Sequence, residues 1–223
     1  TISMGVKLLD KDTVTLATLM HHSMNHRPLP VGSGLVRHRE GVDLLPADIE
    51  LSGVEMALFN AEKRERVLQD VLEPLRSSYD CMPSLGMMTI NALTCADSVI
   101  VPTQADFLST KGLNLLFRSV ANLRRNLNPK LRIDGILWTM VDRRTNFAKA
   151  IITALRESVG MNIRVFDTQI PHSVRAKECP LEGKSIFAHD KRGKVAAAYE
   201  ALTKEVMELA QRNKHRSRID GVR

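Results

Sequence analysis

The chain has 223 residues, 43% hydrophobic and 26% charged, which reads as one soluble globular domain with room for a large core. No run approaches ~20 uninterrupted apolar residues and no charged-then-apolar leader opens the chain, so neither a membrane span nor secretion is expected. The net charge of +7 points to a polyanionic partner, nucleic acid first, against the plainer alternative of a soluble basic surface. Aromatics are only 4%, which favours phosphate contact over base stacking. Cys81, Cys95 and Cys179 are odd in number and lack C-x-x-C spacing. They argue against a disulfide framework or a zinc site and fit a reducing cytoplasm.

In chain order, Asp12 to Asn25 is expected to form a helix with Leu16, Leu19 and Met20 inward. Arg27-Pro-Leu-Pro-Val-Gly-Ser-Gly34 breaks it. Gly41 to Pro46 reads as a short buried strand ended by proline. Leu51 to Leu75 reads as one long amphipathic helix, because Val54, Leu58, Val67, Val71 and Leu75 recur at helical spacing. Lys63, Arg64, Glu65 and Arg66 would be its solvated face. A helix is expected from about Met87 to Thr94. Ser98 to Pro102 is a continuous apolar run, as in a parallel strand covered on both faces. Gly112 to Asn126 is amphipathic through Leu113, Leu116, Phe117, Val120 and Leu123. Ile133 to Val141 is a buried strand, and Asn146 to Val159 a helix with Phe147, Ile151 and Leu155 inward. Ile163 to Phe166 is a strand. Lys194 to Gln211 is a helix with Val195, Tyr199, Leu202, Val206 and Leu209 on one stripe, followed by a basic, frayed tail from Arg212.

Strands alternating with helices predict an α/β fold, a doubly wound and mostly parallel sheet flanked by helices. Such a sheet binds its ligand at the carboxyl ends of its strands, so the segments after Val101, Met140 and Phe166 are expected to face a common site.

Asp80-Cys-Met-Pro-Ser-Leu-Gly86 precedes a helix-compatible run. An Asp at a strand end can reach a metal or orient a water beside a phosphate. The plainer alternative is a strand-to-helix turn capped by Asp or Ser. No G-x-x-x-x-G-K-[ST] occurs in the sequence. Gly183-Lys184-Ser185 has the tail of that motif without its upstream glycines and is not read as a phosphate loop.

Four segments together resemble the ParA/Soj family of partitioning ATPases, within the MinD/ParA superfamily with a deviant phosphate loop. They are Asp80 to Leu93, Leu131 to Asp142 with Arg144-Thr-Asn146, Ile170 to Arg175, and Gly183 to Ile186. The likeness is nearest to the ParA-type proteins of mobile elements and covers most of the chain. It implies a fold of the P-loop NTPase type, one domain over residues 1–223, and a Mg-dependent ATPase working with ATP/ADP. Asp80 would be the acidic residue of the second switch loop, acting on Mg2+ through water, and Pro83 would let that loop move. Met140 and Asp142 would border the adenine, with Pro171 against the base. For Met140, core packing is the alternative. Arg144, Arg175, Lys184, Lys191, Arg192 and Lys194 would contact DNA without reading its sequence. Arg144-Thr145-Asn146 could instead cap the following helix.

The resemblance further implies a homodimer, a ParB-like partner, and a bacterial, cytoplasmic, nucleoid-associated protein. The family's phosphate loop lies nearer the amino terminus than any segment matched here. Ser77-Ser78-Tyr79 also runs into Asp80 where family members have an apolar strand. Residues lacking from the sequence explain this better than an evolved loss, because a missing central strand leaves buried backbone groups unpaired. Two functional readings follow: a partitioning ATPase, or a non-catalytic DNA- or partner-binding remnant of the fold. Membrane cycling of the MinD kind is disfavoured, since the carboxyl-terminal tail lacks bulky apolar residues.

Overall fold

The computed structural model describes residues 13–28, 34–47, 50–73, 86–159 and 163–220. They fall into two compact units, one within residues 1–97 and 118–131, the other within 98–117 and 132–223.

In the first unit α1 (Leu16–Met24) begins at Thr15, whose hydroxyl accepts from the Thr18 N–H at 3.3 Å. Leu19 and Met20 are buried, as their spacing predicts. β1 (Val36–Arg37) and β2 (Asp43–Leu44) form a small antiparallel ladder. The expected buried strand at Gly41–Pro46 is therefore corrected. Gly41 turns the chain at φ +79°, and Val42 is 44% exposed.

The expected long helix is two: α2 (Glu50–Leu58) and α3 (Val67–Leu72). Lys63 adopts a left-handed φ of 48°, which an α-helix cannot contain. The second helix then starts afresh, and its cap comes from elsewhere. Asn91, fully buried on α4 (Met87–Cys95), accepts from the Leu68 N–H at 3.0 Å and donates to the Arg64 carbonyl at 2.7 Å. Ala17, Met20, Val54, Leu58, Leu68, Val71 and Met87 close this unit's core.

The second unit carries a parallel three-stranded sheet in the order β3 (Ser98–Gln104), β4 (Arg132–Val141), β5 (Val165–Pro171). Between β3 and β4 runs α5 (Phe107–Asn126), of which residues 107–117 belong to this unit and 118–126 to the first. It starts five residues earlier than its apolar spacing suggests, because the Asp106 carboxylate accepts from the Ser109 N–H at 2.7 Å. α6 (Asn146–Val159) has the expected bounds, but Phe147 is 60% exposed and Ala148 takes the inward place. β5 begins later and runs further than expected. α7 (Val174–Glu182), α8 (Ile186–His189) and α9 (Lys194–Asp220) follow. The backbone of residues 212–220 continues α9, so the basic tail there is helix rather than a frayed end, and Tyr199 is exposed rather than on the inward stripe.

Two cores form in this unit. Val101, Leu113, Ile136, Trp138 and Leu155 make one, and Leu137, Phe166, Ile170 and Val195 the other. Gly135 lets Phe166 approach: a Cβ there would sit 2.8 Å from the Phe166 ring and 3.0 Å from the Arg164 carbonyl. Glu205 of α9 secures β5. Its carboxylate accepts from Arg164 at 2.8 Å and from the N–H groups of Asp167 at 3.0 Å and Thr168 at 3.1 Å. Backbone donors of Asp167 and Thr168 are thereby satisfied by a side chain.

Candidate functional site

Because β3, β4 and β5 are parallel, their carboxyl ends emerge on the same edge of the sheet. The register places Gln104 beside Thr139 and Val141 beside Pro171. The Thr139 hydroxyl donates to the Thr103 carbonyl at 3.2 Å, and the His172 N–H donates to the Val141 carbonyl at 3.2 Å. Of the expected site residues, Met140, Asp142 and Pro171 are thus gathered at one edge of the second unit. Gln104, Arg143, Gln169 and His172 join them. Their only sequence signal is position, each lying at or next to the end of a strand.

Met140 is 57% exposed, so it is not a core residue. Its backbone takes φ 52° within a strand, a conformation rare and strained for a non-glycine residue. The Gln104 amide lies 3.6 Å from its sulfur. Asp142 holds Arg144 in a two-pronged ion pair at 2.9 and 2.8 Å and also accepts from the Arg144 N–H at 3.1 Å. These hydrogen bonds, with the guanidinium charge, hold the Asp142 carboxyl down at about 2. Thr145 caps α6, accepting from the Ala148 N–H at 3.3 Å. Of the two sequence readings of this turn, capping is borne by Thr145, while Arg144 stays exposed and paired.

The expected DNA-contact residues divide. Arg175 faces Glu178 at 3.6 Å and Lys184 binds Glu182 at 2.9 Å. His189 lies between these two carboxylates, 3.1 Å from Glu178 and 3.3 Å from Glu182. Lys191, Arg192 and Lys194 are exposed at the start of α9. Gly183 and Ser185 act as caps. Gly183 ends α7 in the left-handed conformation, and the Ser185 hydroxyl accepts from the Ala188 N–H at 3.3 Å. The Gly-Lys-Ser run is a helix-to-helix joint, which agrees with its rejection as a phosphate loop.

Asp80 and Pro83 lie outside the described residues. The strand ends offer a rim for a planar ring, an apolar thioether and proline beside amide and carboxylate groups. They offer no cluster of acidic or histidine ligands for Mg2+ among the described residues, and no sequence motif for cradling phosphates. No helix of the described residues is long and apolar enough to cross a membrane.

A family model described as an AAA domain matches residues 1–133. The chromosome partitioning protein ParA of Caulobacter vibrioides is 36% identical over 197 residues, 85% of this chain and 73% of that protein. The sporulation initiation inhibitor protein Soj of Bacillus subtilis is 40% identical over 172 residues, 75% of this chain and 67% of that protein. Among solved structures, cobyrinic acid a,c-diamide synthase from Mycobacterium smegmatis, with bound ADP and magnesium, superposes with a TM-score of 0.64 at 30% identity. The match covers 83% of this chain and 76% of that one.

Proposed function

Because the chain belongs to the ParA/Soj family of P-loop partitioning ATPases, we propose that its strand-end rim receives the adenine of ATP or ADP in a DNA-partitioning cycle. The observation that carries this is Met140. A strained, exposed residue at the end of a central strand is retained where a ligand uses it rather than where the core needs it. Met140 and Asp142 border the base, and Pro171 packs on it from the neighbouring strand end. Asp80 and Pro83, on the switch loop, answer to the γ-phosphate and to Mg2+ through water. The nucleotide-bound protein dimerises and holds DNA without reading sequence, and a ParB-like partner stimulates hydrolysis and release.

Lys191, Arg192 and Lys194 are the readiest of the expected DNA contacts. Arg144, Arg175 and Lys184 must first exchange a carboxylate partner for phosphate, a small cost because the pairs are exposed and screened by solvent.

The alternative is a non-catalytic DNA- or partner-binding remnant of the same fold. Duplex DNA retention by the full chain, measured with and without Mg-ATP, separates the two. ATP-dependent retention supports the partitioning ATPase, and retention indifferent to ATP supports the remnant. In either case base contacts alone predict weak ATP affinity for this chain. Micromolar affinity with turnover would refute that assignment of groups.

A further inference from the structure

The excess of positive charge is concentrated. Residues 107–133 hold Lys111, Arg118, Arg124, Arg125, Lys130 and Arg132, and no Asp or Glu, so these six account for most of the net +7. Of the basic residues further along, six have a carboxylate partner, while Arg143, Lys149, Lys177, Lys191, Arg192, Lys194 and Lys204 make no ion pair among the described residues. Arg144 pairs with Asp142, Arg156 with Asp167, Arg164 with Glu205, Arg175 with Glu178, Lys184 with Glu182 and Arg212 with Glu208. Lys111 lies over the Phe107 ring at 4.6 Å. Arg118, Arg124, Arg125 and Lys130 are exposed and make no ion pair among the described residues.

Their placement is fixed. The second half of α5 buries Val120 and Leu123. The opposite face presents Arg118 and Arg125, two turns and about 10 Å apart along the axis, with exposed Asn122 between them. Lys130 follows in a pinned loop. The Asn128 side chain donates to the Leu93 carbonyl at 3.0 Å and the Ala96 carbonyl at 2.8 Å, and Leu131 is fully buried. Arg124 and Arg125 also complement the negative end of the helix. That accounts for two of the four, but Arg118 lies before the last turn and Lys130 beyond it.

We propose that Arg118, Arg125 and Lys130, with Arg124 beside them, form a contact surface for the phosphate backbone of duplex DNA, in addition to the basic run at Lys191–Lys194. Guanidinium forks suit phosphate oxygens, and the exposed Asn122 adds an amide donor. The patch has no exposed aromatic to stack on a base. The inference rests on the DNA-binding reading above but places the contact on a different element.

The test uses the full chain and a mixed-sequence duplex, with fluorescence anisotropy followed across a salt series. The triple variant R118E/R125E/K130E should bind at least about tenfold more weakly. The slope of log affinity against log salt should fall by about two to three. Circular dichroism and thermal melting of the variant report whether it folds. If it does not, the single variants R118A and K130A carry the test, each lowering the slope by about one. An unchanged affinity and slope would overturn the proposal. If K191E/R192E weakens binding while the α5 variants do not, the proposal fails and the DNA reading stands. A parent chain that retains no DNA sinks both. Loss of polyglutamate binding with DNA binding intact assigns the surface to an acidic protein and also overturns the proposal.

Discussion

Replacing Asn91 by Leu should destabilise the first unit by about 2–4 kcal/mol, through lost hydrogen bonds rather than lost volume. Asn91 is fully buried and has three partners: it accepts from the Leu68 N–H and donates to the carbonyls of Arg64 and Met87. Leu keeps the size of the side chain but can neither accept nor donate. The Leu68 N–H is among the first donors of α3, with no acceptor inside its own helix. Leaving it buried and unmet costs about 1–3 kcal/mol, and the partly buried Arg64 carbonyl adds roughly 1 more. The Met87 carbonyl lies four residues before Asn91, where the α-helical ladder already serves it. With a urea slope of about 2 kcal/mol/M, the midpoint of unfolding should fall by roughly 1–2 M. Equilibrium urea unfolding followed by circular dichroism reads this directly. A shift below about 0.3 M would mean that Asn91 does not cap α3 and that the break between α2 and α3 has another cause.

Gly135→Ala should lower stability by about 1–3 kcal/mol, since the added Cβ meets the Phe166 ring and the Arg164 carbonyl; calorimetry showing no change would remove that close approach from the account. Glu205 is a test by pH. Burial raises its carboxyl pKa, but the hydrogen bonds from Arg164, Asp167 and Thr168 outweigh it, and the net direction is down from 4.5. A lowered folded-state value stabilises the protein above the unfolded carboxylate range, and that stability is lost as pH falls through the folded value. Glu205→Gln should therefore weaken the second unit by about 1–2 kcal/mol at neutral pH, with the gap to the parent closing on acidification. A gap that stays constant down to acid denaturation would show that the charge plays no part.

Where apolar spacing was unbroken, the sequence was legible. α4, β3, β4 and α6 lie close to their expected places, because long buried runs and a 3.6-residue stripe leave few alternatives. Misreadings arose where a single residue set the backbone. Lys63 at positive φ splits one amphipathic pattern into two helices, and the periodicity of Val54, Leu58, Val67 and Val71 survives the break only by coincidence of spacing. Asp106 starts α5 before its apolar stripe begins. Phe147 shows that the first turn of a helix can point a large ring outward when the smaller Ala148 fills the inward place. At the strand ends, Met140, Asp142 and Pro171 could be placed from the motifs and from the parallel sheet. Gln104, Gln169 and His172 could not, because polar residues at strand ends carry no periodic signal. Charge behaved similarly. The family resemblance pointed to cations in the carboxyl-terminal part; the structure shows that Arg144, Arg175 and Lys184 among them already have carboxylate partners, while Arg118, Arg125 and Lys130 have none among the described residues.

The strand-end rim is tested most directly by photolabelling the full chain with an azido-adenine nucleotide, with unlabelled ATP as competitor, and mapping the modified peptides by mass spectrometry. Covalent capture records even weak occupancy. ATP-protected label on the peptides bearing Met140–Asp142 and Pro171–His172 is the predicted result. Label confined to other segments, or label that ATP does not protect, would contradict the assignment of this edge to the nucleotide base.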